Sequence, residues 1–294
     1  MFRARVPASS ANLGPGFDTL GLALDLHLQV TAVPAAEDAF TYGGRGHVAP
    51  TPHNLVHRGF KAAYAHLGLK APGVSLDVVN PIPLARGLGS SSAALVAGAA
   101  LADAMLDGRL GRRGVFAVTA ALEGHPDNVG PCVYGGFTVA ARDAAGEFQG
   151  AALPVPPSWR FLFGVPAFEL ATDGARAALP ATYPRQDVVL TASRAALWVA
   201  AVALDRPELL AAAALDVMHQ PYREHLVPGF GAAMSALAAA GAHAAFLSGA
   251  GPTVGAVASA ATAAACRAAL ERFVGPAGEV LELRPATGYA VERC

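Results

Sequence analysis

The stretch that decides the fold reads Pro83-Leu84-Ala85-Arg86-Gly87-Leu88-Gly89-Ser90-Ser91-Ser92-Ala93. It follows residues 74–79, which are predicted to form a strand, and it leads into residues 92–106. In that second segment Leu95, Ala99, Ala102 and Leu106 fall on one face of a helix. The sequence therefore predicts a strand, a glycine-rich turn and a helix in direct succession.

This turn has the composition of an anion site. Glycines let the backbone approach an anion closely, and the start of a helix offers unpaired N–H groups at the positive end of its dipole. A triphosphate fits such a site. No lysine follows the second glycine, so this is not a Walker loop, and the serine hydroxyls are left to bind Mg²⁺ or to cap the helix. Lys61 and Lys70 are the only lysines, so anion recognition must rest mainly on arginine, backbone N–H groups or a metal.

Two further glycine-bearing segments flank the turn in the sequence, one at residues 7–18 and one at residues 248–253. Taken together, in this order and spacing, the three segments resemble the three signature motifs of the GHMP kinases, and the resemblance covers nearly the whole chain. It implies an α+β fold of two lobes with ATP bound between them. The N-terminal lobe would contain a left-handed βαβ unit, and the C-terminal lobe would be ferredoxin-like.

The remaining pattern supports two lobes. Residues 22–31 alternate apolar and polar side chains and predict a half-buried strand. Glycines and prolines crowd residues 143–158, so we place a boundary near residue 155, between an N-terminal ATP phosphate-loop domain (1–155) and a C-terminal domain (156–294). The pattern of the second part predicts strands at residues 161–165, 244–247, 254–258 and 278–283, and helices at residues 187–204, 207–218, 230–240 and 262–273.

Three segments resemble the branch of the family that acts on a small amino acid: residues 123–131, residues 172–180 and residues 221–228. An amino acid needs a guanidinium for its carboxylate, which Arg176 and Arg223 could supply. It also needs oxygen acceptors for its ammonium, which Asn12 and Asp18 could supply. The substrate residues that follow from the motifs and the resemblance are Asn12, Asp18, His125, Asn128, Thr172, Arg176, Arg223 and Gly249.

The resemblance also implies the catalytic groups. Glu123 and Ser91 would hold Mg²⁺ between the phosphates of ATP, with Ser92 as an alternative to Ser91. Asn128 would lie at the reacting hydroxyl, with Arg176 and Glu123 completing the catalytic set. An amide can orient a nucleophile but cannot take its proton as a carboxylate would. Whether Asp127 or His125 takes part in proton transfer stays open at this point.

Composition excludes several other classes. The net charge is −1, with 21 Lys and Arg against 22 Asp and Glu, so we expect neither nucleic acid nor a membrane surface as partner. Three scattered cysteines, Cys132, Cys266 and Cys294, lack metal or disulfide spacing; we expect buried thiols and a cytoplasmic protein. Residues 244–265 read as protein core, not as a membrane span.

Two alternative functions remain open, and the resemblance also bears on the oligomeric state. The chain could be a kinase of the same family with another small alcohol as substrate, of the mevalonate or sugar type. It could also be a non-catalytic binding protein on the same fold, although such a chain would be expected to lose metal or phosphate-loop residues. The resemblance further implies a homodimer.

Overall fold

The computed structural model describes residues 1–49, 51 and 54–294, and two β-sheets organise them. The strands are β1 (Phe2–Asn12), β2 (Gly16–Pro34), β3 (Ala39–Gly44), β4 (Val74–Asn80), β5 (Phe137–Arg142), β6 (Phe148–Leu153), β7 (Arg160–Val165), β8 (Ala244–Leu247), β9 (Val254–Ala258), β10 (Glu279–Leu283) and β11 (Ala290–Arg293). The α-helices are α1 (Leu55–His66), α2 (Ser90–Met105), α3 (Gly111–Glu123), α4 (Val129–Tyr134), α5 (Thr172–Ala177), α6 (Arg185–Leu204), α7 (Leu210–Ala213), α8 (Gln220–Arg223), α9 (Phe230–Ala239) and α10 (Ala263–Val274).

The first sheet is built around β2, whose 19 residues pair with β1, β4 and β5. Its main path runs β11-β1-β2-β4-β3, and β6 extends it through β5. The predicted strand at residues 22–31 lies inside β2, where Leu28 and Val30 are buried and Gln29 is exposed, as a half-buried strand requires. Strands β3 and β4 are parallel, and α1 connects them, so β3-α1-β4 is the βαβ unit of this lobe.

The second sheet has four strands in the order β10-β7-β9-β8, and all its pairings are antiparallel. Along the chain, β7, β8, β9 and β10 are the first, second, third and fourth strands of this sheet. Helix α9 comes before β8, and α10 comes between β9 and β10. A βαββαβ succession with spatial order 4-1-3-2 is the ferredoxin-like arrangement. The expected α+β fold with a ferredoxin-like C-terminal lobe is confirmed.

Large aromatic side chains join the two sheets. Trp198 of α6 is buried and stacks on Phe137 of β5 at 5.9 Å between ring centroids, and it meets Phe246 of β8 edge-on at 6.2 Å. Such pairs add about 0.5–1.5 kcal/mol each beyond the area they bury. The division near residue 155 stays a prediction; it falls between β6 of the first sheet and β7 of the second, while β11 returns to pair with β1.

One predicted helix is too long, and its second half is wrong. Residues 207–218 form a short 3₁₀ turn (Pro207–Leu209) and then α7, which ends at Ala213. The Asp216 carboxylate accepts hydrogen bonds from the backbone N–H groups of Met218, His219 and Gln220, and these bonds replace a helical ladder with a tight turn. The cysteine expectation also needs correction at one position, because Cys132 and Cys266 are buried but Cys294 is exposed.

Helix α6 is the one helix among the described residues that is long and apolar enough to cross a membrane by length and composition alone. Core helices of proteins that never enter a membrane meet the same criteria. Here Trp198, Ala201 and Val202 are buried against the rest of the protein, while Val188 and Val189 are more than half exposed.

Candidate active site

The glycine-rich turn joins β4 to α2, as predicted, and leaves the start of the helix open. Gly89 precedes the helix in a left-handed conformation (φ 69°), and no side chain caps the first turn. The N–H groups there are therefore available to an anion. Arg86 is already engaged: its guanidinium donates to the carbonyl oxygens of Leu84, Pro166 and Ala167 and pairs with Glu169. At this turn the backbone N–H groups, more than Arg86, are therefore available to an anionic ligand.

The three glycine-bearing segments meet in space through buried contacts. The Ser10 and Ser248 hydroxyls are 2.7 Å apart, and Ser248 Oγ donates to the Gly87 carbonyl oxygen at 2.6 Å. Asn12 Nδ2 donates to the Gly249 carbonyl oxygen at 3.0 Å. Residues up to 238 positions apart in the sequence thereby form one connected site.

A carboxylate and two hydroxyls converge beside the phosphate turn. Glu123 is the last residue of α3; its oxygens accept from Ser91 Oγ at 3.3 Å and from Ser92 Oγ at 2.9 Å. Oxygen donors of this kind are the ligands that Mg²⁺ prefers, so the residues present fit that ion. Ser92 is buried and Ser91 is exposed, yet both touch Glu123, so the choice between them stays a prediction.

Residues 125–128 form a second polar cluster. His125 Nδ1 lies 2.7 Å from Asp127 Oδ1, and the same oxygen accepts from the Asn128 backbone N–H at 2.9 Å. Burial lowers the pKa of His125, but its bond to Asp127 and the neighbouring carboxylates outweigh burial and raise the pKa overall. The Asn128 side-chain oxygen accepts from Ser9 Oγ at 2.9 Å, and the amide NH₂, which bonds no residue in the described part of the chain, is left for a ligand.

Arg176 and Asp18 form a two-pronged ion pair. Arg176 Nη1 and Nη2 lie 2.9 and 2.8 Å from the two carboxylate oxygens of Asp18. The hydrogen bonds that Arg176 donates to Asp18 raise the pKa of Arg176. Two of the five N–H donors of this guanidinium are used, so three remain for a ligand.

Arg223 is buried and differs from the expectation of a free two-pronged donor. Its Nε donates to the Ala175 carbonyl oxygen at 3.0 Å, and its Nη1 reaches the Gly249 carbonyl oxygen and His219 Nδ1, both at 3.2 Å. Burial, together with the charge of Arg176, lowers the pKa of Arg223 to about 10. A desolvated guanidinium beside a second cation favours an anionic ligand. Such a ligand offsets both the cost of burying the charge and the repulsion between the two cations.

A single cavity of about 430 Å³ brings the predicted residues together. Every predicted substrate residue lines it: Asn12, Asp18, His125, Asn128, Thr172, Arg176, Arg223 and Gly249. Ser91, Ser92 and Glu123 also line it, as do the phosphate-turn residues 83 and 85–90. Leu84 and Ala93 do not; Leu84 instead lines a smaller apolar cavity of about 180 Å³ that shares Ser90 and Ser91 with the larger one.

Sequence reasoning missed three residues at this site. Ser9 bonds Asn128, Phe17 lies with its ring 5.2 and 5.3 Å from the Arg176 and Arg223 guanidinium carbons, and His219 bonds Arg223. Ser9 and Phe17 both lie inside the first glycine-bearing segment, residues 7–18, so that segment could have suggested them. Nothing in the local sequence around His219 signals its contact with Gly14, 205 positions away.

Family models match this chain over more than half of its length. The description "GHMP kinases N terminal domain" matches residues 54–136, and "GHMP kinases C terminal" matches residues 199–276. The chain therefore belongs to the GHMP kinase family, as the three motifs indicated.

Full-length relatives narrow the class. The chain is 52% identical to homoserine kinase of Thermus thermophilus over 98% of its own length and 97% of the relative. It is 44% identical to homoserine kinase of Deinococcus radiodurans over 86% and 83%. A crystal structure of homoserine kinase from Cytophaga hutchinsonii superposes with a TM-score of 0.87 at 26% identity, covering 99% and 97%. Within the GHMP family, these relatives group the chain with the homoserine kinases.

Proposed function

We propose that this chain transfers the γ-phosphoryl group of ATP to the hydroxyl of L-homoserine, giving O-phospho-L-homoserine, a reaction of threonine biosynthesis. The observation that carries the proposal is that one cavity contains both an uncapped helix start for phosphates and a cluster suited to an amino-acid zwitterion. The relatives that bear the name homoserine kinase over nearly the full chain support the same conclusion.

The zwitterion cluster consists of Arg176, Arg223 and Asp18, with Asn12 beside them. Arg223 offers the carboxylate its two Nη2 hydrogens, because its other donors are engaged, and Arg176 offers the donors that Asp18 does not use. Asp18 supplies a carboxylate for the substrate ammonium. The Asn12 amide already donates to Gly249 and accepts from the Asp18 N–H, so we assign it to shaping this turn as well as lining the site.

At the phosphate end, Glu123 with Ser91, or alternatively Ser92, would hold Mg²⁺. Bound there, the ion would supply charge neutralisation for the phosphates. The backbone N–H groups at the start of α2 bind the phosphate oxygens, and Thr172 and Gly249 border the site. We propose that the small apolar cavity, lined by Phe40, Tyr42 and Val78 among others, accepts the adenine ring, since it adjoins the phosphate turn through Ser90 and Ser91.

The reacting hydroxyl would be oriented by Asn128. Its amide NH₂ is the group left free by Ser9, so it donates to the hydroxyl oxygen and aligns a lone pair for attack. The Asp127-bound ring of His125 presents Nε2 as the nearby group able to exchange a proton. Phosphoryl transfer through a loose transition state depends mainly on alignment and charge neutralisation, so a strong base is not required.

The test is a coupled assay of Mg·ATP turnover with L-homoserine, L-threonine, L-serine, mevalonate and galactose side by side. We expect a clear preference for L-homoserine in kcat/KM. A preference for mevalonate or galactose would contradict the proposal and favour the other kinases of the family. Absence of turnover with all five would favour a non-catalytic binding protein, but Glu123 and the loop serines argue against that alternative.

We also propose a cytoplasmic homodimer with no nucleic-acid or membrane partner. The exposed apolar side chains Val188 and Val189 of α6 offer a surface for a second copy, with Leu204 at 65% exposed near the end of the helix. Light scattering coupled to size exclusion measures the mass. Replacing Val188 and Val189 by lysine should shift a dimer toward monomer, and a monomeric wild type would contradict the proposal.

A further inference from the structure

His219 is fully buried and uses both ring nitrogens. Nε2 lies 2.7 Å from the Gly14 carbonyl oxygen, and Nδ1 lies 3.2 Å from Arg223 Nη1. A carbonyl oxygen can only accept and a guanidinium can only donate, so Nε2 carries the hydrogen and Nδ1 is bare. The two partners therefore select one neutral tautomer of the imidazole.

The neutral form agrees with the surroundings of the ring. Burial lowers the pKa of His219, and the guanidinium of Arg223 acts in the same direction. Asp216 is the nearest carboxylate, with Oδ2 3.5 Å from Nε2, but that oxygen already accepts from the backbone N–H groups of His219 and Gln220. An imidazolium would direct an N–H at Arg223 and break the contact.

Gly14 lies in the turn between β1 and β2, which leads directly into Asp18 near the start of β2. A side chain at Gly14 would place its Cβ 2.4 Å from the Ala214 carbonyl oxygen, so this turn and the segment containing His219 pack without space between them. The Phe17 ring lies 5.5 Å from the His219 ring. His219 thus contacts both the Gly14 turn, which leads into Asp18, and the side chain of Arg223.

Arg223 depends on this contact for its orientation. Its Nε and Nη1 are held by Ala175, Gly249 and His219, and its two Nη2 hydrogens have no partner among residues 1–49, 51 and 54–294. Nη2 is therefore the group left for a ligand. Two of the three partners are backbone carbonyl oxygens, whereas His219 is the one side chain among the described residues that hydrogen-bonds Arg223. Through Nε2 it links Arg223 to the Gly14 turn, beside the contact that the Phe17 ring makes with the guanidinium.

We propose that His219 is a positioning residue: as the neutral Nε2–H tautomer it fixes the Arg223 guanidinium relative to the Gly14 turn, which leads into Asp18. It thereby sets the spacing between the groups that bind the carboxylate and the ammonium of the amino-acid substrate. This inference rests on the proposed function, because it concerns the same substrate. It predicts that disturbing His219 alters recognition of the amino acid and leaves ATP recognition intact.

Two substitutions separate the contacts of the ring. In His219→Asn the amide oxygen reaches the place of Nδ1, so it can still accept from Arg223 while the contact to Gly14 is lost. In His219→Gln the amide nitrogen reaches the place of Nε2, so it can still donate to Gly14 while Arg223 loses its acceptor. The exposed His225, two residues beyond Arg223, provides the matched control His225→Gln.

The measurements are KM for L-homoserine, KM for ATP, kcat and the melting temperature of each variant. We expect His219→Gln to raise KM for L-homoserine about tenfold, the usual effect of losing one hydrogen bond to a charged group. KM for ATP should change less than twofold. His219→Asn keeps the acceptor for Arg223 but loses the contact to Gly14, so it should also raise KM for L-homoserine, by a smaller factor than His219→Gln. His225→Gln should match the wild type.

Three results would overturn the inference. One is a wild-type KM for L-homoserine in His219→Gln. Another is an equal rise in both KM values in both variants with a matching loss of melting temperature, which would indicate a structural role only. The third is loss of the fold in both variants, for the same reason. If the wild-type protein itself does not phosphorylate L-homoserine, the proposed function fails, and that outcome is read from the wild type alone.

Discussion

Gly89 offers the sharpest test of the phosphate turn. It stands immediately before α2 with φ 69°, and an added Cβ would lie 2.0 Å from Ser9 Oγ and 3.0 Å from Asn128 Oδ1. Those two atoms form the 2.9 Å hydrogen bond that orients the Asn128 amide. The substitution Gly89→Ala therefore strains the backbone and disturbs the group we assign to the reacting hydroxyl.

The expected magnitude has two parts. A left-handed conformation costs a residue with a Cβ about 1–2 kcal/mol. Forcing a methyl group into filled space costs about 1–3 kcal/mol more, so the free energy of unfolding should fall by about 2–5 kcal/mol in total. Displacement of a reacting group by about 1 Å can lower the rate about a hundredfold, so we expect kcat to fall by that order.

Gly108→Ala is the matched control for the backbone part alone. Gly108 has nearly the same φ, 77°, but an added Cβ meets nothing within 4 Å. It should lose about 1–2 kcal/mol of stability by chemical denaturation and keep wild-type kcat. The reasoning would be refuted if Gly89→Ala kept kcat within about threefold of wild type, or if it were no less stable than Gly108→Ala.

Three further predictions concern the substrate and metal groups. Arg223→Lys should leave at least one buried acceptor unpaired at a cost of about 1–3 kcal/mol, lowering the melting temperature and reducing kcat/KM for L-homoserine about ten- to a hundredfold. Arg176 is half-exposed, so the control substitution Arg176→Lys should leave the melting temperature nearly unchanged. A wild-type melting curve for Arg223→Lys would count against the buried contacts of Arg223. Glu123→Gln keeps the shape but loses the charge, so it should raise the Mg²⁺ concentration for half-maximal activity, and an unchanged Mg²⁺ titration would exclude Glu123 as a ligand. Burial holds the pKa of His219 below its usual 6.5, so the unfolded chain takes up a proton there that the native protein does not as pH falls through that value. Stability should decline toward acid pH by up to about 1.4 kcal/mol per pH unit from this group, a slope that His219→Gln removes and His225→Gln retains. Parallel stability profiles for those two variants would contradict the assignment.

The local sequence pattern was enough to predict the elements that flank the glycine-bearing segments. Strands β8 and β9 match their predicted bounds at both ends, and α2 begins two residues before the predicted start. Apolar periodicity with glycine and proline on both sides determines such elements within a short window. The same reasoning failed at residues 214–218, because the turn there depends on the Asp216 side chain accepting hydrogen bonds from three backbone N–H groups.

Contacts between distant residues were beyond that reasoning. The sequence indicated Arg223 as a carboxylate ligand, but its burial and its bonds to Ala175, Gly249 and His219 arise only when segments far apart in the C-terminal part of the chain fold together. A substrate arginine with most of its donors engaged is less mobile than a surface arginine, so it loses less conformational entropy when a ligand binds. The role assigned from sequence and the rigidity observed in the fold are therefore complementary.

The glycines of the three motifs have a second function that anion chemistry alone does not suggest. A Cβ at Gly87 would lie 2.1 Å from the Ser248 carbonyl oxygen, and a Cβ at Gly14 would lie 2.4 Å from the Ala214 carbonyl oxygen. In both places glycine allows one segment's backbone to pack directly on another's, across the two lobes. Glycine at these two positions therefore allows the two lobes to pack closely, in addition to the access that the motif glycines give to an anion. A substitution at either position should loosen the whole site, including residues that touch neither phosphate nor metal, because the segments that carry Asp18, Arg223 and the phosphate turn share these contacts.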